Sequence, residues 1–187
     1  IAVCPMSADA YPYDFRGIVQ HEAGGHGFGK LGDEYIYHNA FIHSCSCACC
    51  NHVDEFNAAK ANGWYDNMSL SSDMNEVPWS HFIYHPKYSN RVDMFEGGFF
   101  HTRGVYRSEA NSCMNNNIPY FSAVSRESIV KRIMEYAGET FNQQEFYDKD
   151  VLTIPSRSAM SPWTGGGYSN SYKQHTPKFM GNKPNFK

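Results

Sequence analysis

The hydrophobic and polar positions of the chain predict three helices separated by long polar stretches. Apolar residues fall on one helical face from residue 15 to about residue 27 or 29. A second, shorter helix is predicted over residues 53–62, where Gly63 ends it. The clearest amphipathic pattern begins at residue 122 or 123, runs to residue 137 and stops at Gly138.

Short strands are predicted around these helices. Residues 1–5 read as a buried strand, residues 35–43 as an extended aromatic segment, and residues 104–107 as a further strand. Residues 64–104 carry little helical periodicity and read as a turn-rich excursion. The pattern therefore predicts an α+β domain over residues 1–152, followed by an irregular C-terminal tail over residues 153–187 that is rich in Pro, Gly, Ser and Asn.

Composition narrows the class of protein. The 187 residues are 41% hydrophobic and 19% charged, which is typical of a globular domain and excludes a coiled coil. A net charge of −3 gives no reason to expect nucleic acid as a partner. No apolar run reaches the roughly 18 to 20 residues that a membrane span needs. Six cysteines, four of them within residues 45–50, favour an exported protein, which would be secreted, periplasmic or on a bacterial cell surface.

A glycine-rich stretch carries the strongest chemical signal. His21 is followed at once by Glu22, and His26 comes about one helical turn later, the arrangement by which a helix binds zinc beside its own general base. The usual spacing of the two histidines is four residues, whereas here it is five. On a regular α-helix, residues five apart differ by about 140° and cannot share an ion. A π-bulge at Gly24 and Gly25 would bring both imidazoles back to one face.

A third ligand is expected soon after this helix. Asp33 follows a glycine-rich turn and offers a carboxylate, with Glu34 as the nearest competitor. Glu22 is expected to act as the general base that activates zinc-bound water. The alternative interpretation is that His21 and His26 are ordinary polar residues of a glycine-rich loop.

The same stretch resembles a known family of enzymes. Residues 21–35, His-Glu-Ala-Gly-Gly-His-Gly-Phe-Gly-Lys-Leu-Gly-Asp-Glu-Tyr, resemble the zinc motif of metzincin-like peptidases, most closely that of the bacterial IgA-cleaving metallopeptidases. A later stretch, residues 104–115, and the helix after it resemble that family as well. The resemblance implies a metzincin-like catalytic domain, mainly its C-terminal part, with the upstream part missing. It also implies that Met114 forms the methionine turn beneath the metal.

Several other residues leave alternatives open. The cysteine cluster of residues 45–50 could form disulfides, within the loop or out to Cys4 or Cys113, or could hold a structural zinc ion, or could stay reduced. Met114 could be core filler, and Tyr120 could reach an oxyanion but is expected to pack under a helix start. The remaining histidines at 38, 81, 85 and 101 lack partners at ligand spacing and are expected to be surface or hydrogen-bonded residues.

The sequence thus predicts a zinc-dependent endopeptidase that hydrolyses protein or glycoprotein substrates, with immunoglobulin A suggested by the resemblance. His21, His26 and Asp33 would bind one catalytic Zn²⁺, and Glu22 would assist attack by zinc-bound water. Two further interpretations stay open. One is a non-catalytic surface binding or adhesion domain with a structural metal, and the other is a metal-dependent hydrolase acting on a bond other than a peptide bond.

Overall fold

A computed structural model describes residues 2–4, 14–42 and 52–151 of the chain. These residues form an α+β domain, as predicted, in which short strands and helices alternate. Both the cysteine cluster at 45–50 and the tail at 153–187 lie outside the described residues. The elements in chain order are α1 Phe15–Val19, a π-helix Gln20–Gly29, β1 Ile36–Phe41, α2 His52–Ala61, β2 Met68–Ser69, α3 Ser80–Ile83, β3 Phe95–Gly98, β4 Phe100–Arg107, α4 Cys113–Asn116, α5 Ala123–Ala137 and α6 Gln143–Lys149.

A mixed sheet is built around β4, with which the other three strands all pair. Strand β1 runs parallel to β4, with Ile36 opposite Phe100 and His38 opposite His101. Strands β2 and β3 run antiparallel to β4. The predicted strand at 104–107 is therefore the second half of a longer strand. The predicted strand at residues 1–5 is wrong for the part that is described, because residues 2–4 have no regular structure.

Two apolar clusters hold these layers together. One lies between α2 and the sheet, where Phe56 packs against Phe99 and Met68. The other lies between α5, α3 and α6 and contains the fully buried Trp79 and Phe82. Aromatic rings fill both clusters, since short irregular segments leave gaps that large side chains can close.

The two later helices lie within one or two residues of their predicted bounds. Helix α2 spans His52–Ala61, and the chain leaves it through Gly63, whose φ is +70°. Helix α5 begins after Ser122, whose hydroxyl accepts a hydrogen bond from the amide of Ser125 at 3.2 Å. It ends at Gly138 with φ +71°, the left-handed conformation that glycine adopts without strain.

The C-terminal part of the described chain is docked onto α5 by a partly buried ion pair. Arg126 donates from Nε to Asp150 Oδ1 at 2.7 Å and from Nη2 to Oδ2 at 2.8 Å. Tyr88 donates a further hydrogen bond to Asp150 at 3.0 Å. No helix among residues 14–42 and 52–151 is long and apolar enough to cross a membrane.

Candidate metal centre

A change of helix type brings the two histidines of the motif together. The α-helix that begins after the Asp14 cap becomes a π-helix over Gln20–Gly29. In a π-helix each amide bonds the carbonyl five residues back, so that residues five apart lie on one side. The predicted departure from α-helical geometry is confirmed, and it extends over ten residues instead of one. Lys30, with φ +55°, ends the helix in the left-handed conformation.

His21, His26 and Asp33 present three ligand atoms that form a small triangle. His21 Nε2 lies 3.1 Å from His26 Nε2 and 2.9 Å from Asp33 Oδ1. His26 Nε2 lies 3.0 Å from the same carboxylate oxygen. Ligands of a tetrahedral zinc ion, at about 2.0–2.1 Å from the metal, lie about 3.3 Å from one another. The three atoms therefore need only small shifts to bind one ion, and they are the one such group among the described residues.

The second nitrogen of each ring fixes its tautomer. Nδ1 of His21 lies 2.9 Å from the carbonyl oxygen of Cys113, and Nδ1 of His26 lies 2.7 Å from that of Leu31. Carbonyl oxygens only accept hydrogen bonds, so each Nδ1 carries a proton and donates it. In the neutral rings both Nε2 lone pairs then face each other and the Asp33 oxygen. Three acceptors in contact repel one another unless a cation lies between them, and such a second shell is typical of metal-bound histidines.

The charges of the site respond to this crowding. Burial opposes the charged form of His26, but the hydrogen bond and charge of Asp33 outweigh it and raise the pKa of this ring above its ordinary value of 6.5. Burial likewise opposes ionisation of Asp33, yet hydrogen bonds from His21 and His26 lower its pKa to about 2. Asp33 is thus an anion at neutral pH. Without a metal ion, a proton on His26 partly replaces the positive charge that the ion would supply.

Glu22 lies beside the triangle and outside it. Its side chain is half-buried. Burial lowers the pKa of His26, and the negative charge of Glu22 adds to the larger effect of Asp33 in raising it. No hydrogen bond joins its carboxylate to any residue in the described part of the chain. The carboxylate is therefore available to a water molecule or a substrate at the open side of the site, where the His26 side chain is 31% exposed.

A buried polar network holds the loop that carries Asp33. Asn67 donates to the carbonyl of Gly32 and accepts from its amide, both at 2.9 Å. Asn67 also donates to Glu34 Oε1 at 2.9 Å, and Ser112 donates to Glu34 Oε2 at 2.5 Å. Burial raises the pKa of Glu34 to about 7 against these hydrogen bonds. Glu34 points into this network, so Asp33 and not Glu34 joins the histidines.

Met114 lies directly beneath the π-helix. Its side chain is fully buried, and a methyl group added to Gly25 would overlap its sulfur atom. The Met114 carbonyl accepts a hydrogen bond from the amide of Glu34 at 2.9 Å, next to the Asp33 ligand. The short helix α4 therefore contacts both halves of the triangle, and Gly25 permits the close approach.

Two tyrosines beside the site were not singled out from the sequence. The ring of Tyr35 stacks on His21 with centroids 6.0 Å apart, and Tyr37 stacks on Phe100 at 5.6 Å. Burial and, after it, the Asp33 carboxylate raise the pKa of the Tyr35 phenol. The signal that could have found them is their two-residue spacing after Asp33 and Glu34, since side chains two apart in an extended segment lie on the same side.

The other candidates of the sequence have structural roles. Tyr120 is buried, donates to Glu109 at 2.7 Å and lies near the start of α5, as expected. His81 Nε2 lies 3.0 Å from Glu127 Oε1, and the backbone amide of Lys87 donates to His85 Nδ1 at 3.2 Å. His101 is buried and, as expected, hydrogen-bonded, with His52 as its partner. Cys4 and Cys113 are free thiols, so one alternative for the cysteine cluster, disulfides that reach out to these two residues, does not apply.

No family model matches the chain. No curated protein matches it either.

Proposed function

We propose that this chain is the catalytic domain of a zinc-dependent endopeptidase of the metzincin-like class. The observation that carries the proposal is the triangle of His21, His26 and Asp33. Because Nδ1 of each histidine donates to a backbone carbonyl, the neutral rings present only the lone pairs of Nε2 to the centre of the triangle. Two imidazoles and one carboxylate are the donor set of a catalytic zinc site, with one position left for water or substrate. When bound, zinc supplies Lewis acidity for water and for a peptide carbonyl.

The residues around the triangle have separate tasks in this proposal. Glu22 accepts a proton from the attacking water and later donates it to the leaving amine. Asp33 and the two histidines hold the ion, while the Nδ1 hydrogen bonds to backbone carbonyls keep the rings oriented. Met114 and Gly25 fix the helix against the turn below it. Tyr35 stacks on His21 and limits the movement of that ring.

The substrate class follows from the resemblance of residues 21–35 and 104–115 to IgA-cleaving metallopeptidases. We propose a protein or glycoprotein substrate, with immunoglobulin A as the first to be tried, and a location outside the cytoplasm. The exposed rings next to the site, Tyr37 among them, provide an apolar surface for substrate side chains.

The test is hydrolysis of immunoglobulin A and of denatured casein by the zinc-loaded full chain. Glu22→Gln should lower the rate by about 10²–10⁴-fold while zinc content stays that of the parent. Glu139→Gln, which changes an exposed acid beyond the end of α5, is the matched control and should keep full activity. A chelator should abolish cleavage, and zinc should restore it.

Two results would overturn the proposal. One is full activity of the Glu22→Gln variant. The other is a zinc-loaded parent that cleaves neither protein, which would favour a binding domain with a structural metal. Because zinc content is measured in every sample, loss of the metal is distinguished from loss of the base.

A further inference from the structure

Three histidines from separate elements meet at a second place in the domain. His101 of β4 lies between His38, its register partner on β1, and His52, the first residue of α2. His52 Nδ1 is 2.7 Å from His101 Nε2, and the two ring centroids are 5.0 Å apart. The rings of His38 and His101 have centroids 5.7 Å apart. The cluster opens to solvent on the side of His38, which is exposed.

His101 is an unusual residue for its surroundings. It is 1% exposed and borders Phe100, whereas buried positions among aromatic rings are normally apolar. Its Nδ1 makes no hydrogen bond of normal distance and angle in the described part of the chain. A single hydrogen bond to His52 leaves this nitrogen unpaired in either tautomer, which costs free energy. Packing alone therefore does not account for a histidine here.

We propose that His38, His52 and His101 form a second metal site, for a divalent transition-metal ion that prefers imidazole ligands, such as zinc, nickel or copper. The facing nitrogens of His52 and His101 need to open from 2.7 Å to about 3.3 Å to share a tetrahedral ion. The exposed ring of His38 has to turn toward them, because only the first site of the described chain already has three ligand atoms within 4.8 Å.

The position of this site gives it a structural task. A metal held there would tie the start of α2 to β1 and β4. Phe99 and Phe100, just before His101, have φ values of +44° and +71°, conformations that non-glycine residues keep only when their surroundings enforce them. The ring centroid of Phe100 lies 5.4 Å from that of Tyr35 and 5.8 Å from that of His52. Adjacent aromatic rings therefore link the two histidine clusters.

The experiment counts zinc ions bound to the full chain carrying His26→Ala and Asp33→Ala, which disable the first site. This background should still bind one zinc ion per chain in competition with a chelator. Adding His52→Gln or, separately, His38→Gln should weaken that binding more than about 10-fold. His85→Gln, whose ring packs on Tyr147 at 4.2 Å, is the matched control and should leave it unchanged.

Ring nitrogen NMR gives a readout that needs no substitution. Adding zinc to the unmodified chain should shift the ¹⁵N signals of the His52 and His101 rings, and the chain should bind two ions. Unshifted signals would overturn the site even if a variant failed to fold. A disabled background that binds no zinc would also overturn it. So would unchanged binding on adding His52→Gln, which would assign the ion to other residues.

Discussion

Nε2 of His21 and Nε2 of His26 lie 3.1 Å apart, although the two residues are five positions apart in the chain. On an α-helix these rings would point in directions about 140° apart. The π-helix from Gln20 to Gly29 removes this difference, since its hydrogen bonds join residues five apart. The extra residue in the motif is thus compensated by the backbone, and the resulting geometry can be tested at several points.

Asp33→Ala should weaken zinc binding at the first site by more than about 100-fold, because it removes a direct ligand of the ion. Loss of a residue that only supports a ligand already lowers metal affinity by about 10–100-fold. The measurement is competition with a fluorescent chelator in a His52→Gln background, so that one site is followed. Asp66→Ala is the control, since the Asp66 side chain is 47% exposed and pairs with Lys60 Nζ at 3.3 Å. Equal affinities of the two variants would contradict the ligand assignment.

As the pH is lowered, zinc affinity should begin to fall at a higher pH than it does for an ordinary pair of histidines. In the metal-free site burial disfavours charge on His26, but Asp33 raises the pKa of that ring above 6.5, so zinc must displace a proton that is held more tightly than usual. We expect the dissociation constant to rise already as the pH drops toward 6.5 and to keep rising below it. Calorimetric titrations at pH 8, 7 and 6 measure this, and a constant value over that range would count against it.

The metal-free chain should show the opposite dependence. A folded-state pKa of His26 above the unfolded value gives a contribution to stability that is complete below about 6.5 and is lost as the pH rises through the folded pKa. Urea unfolding of the chelated chain at several pH values gives the free energy of unfolding. His26→Gln should remove this part of the pH dependence.

Gly25→Ala should destabilise the fold by about 1–3 kcal/mol, because the added methyl group would overlap the buried sulfur of Met114. Gly24→Ala is a matched control one residue earlier, where the nearest atom, Phe121 Cζ, lies at an ordinary 3.5 Å. Thermal unfolding measures both. If Gly25→Ala proved as stable as Gly24→Ala, the close packing of the π-helix on α4 would be refuted.

Ser112→Ala should cost about 1–3 kcal/mol, since it leaves one oxygen of the fully buried Glu34 without its donor. Ser71 provides a control with the same chemistry at the surface, where its hydroxyl donates to Glu76 Oε2 at 2.6 Å. Ser71→Ala should change the free energy of unfolding by less than about 0.5 kcal/mol. Similar losses in both variants would mean that burial of the Glu34 network contributes nothing.

The sequence by itself determined the local features. The apolar stripe and glycine stop of α5 fixed that helix, because helix periodicity and capping depend on near neighbours. The five-residue spacing of His21 and His26, with Gly24 and Gly25 between them, required a non-α-helical turn if the rings were to meet. These inferences needed no long-range contact.

Only the tertiary structure decided which groups meet from distant parts of the chain. Cys113 supplies the carbonyl that orients His21, 92 residues earlier, and Ser112 binds Glu34 across 78 residues. His52 and His101 meet across 49 residues, and no spacing rule connects them. Such pairs depend on how β4, α4 and the π-helix pack, which is set by the burial of whole apolar faces and leaves no local pattern in the chain.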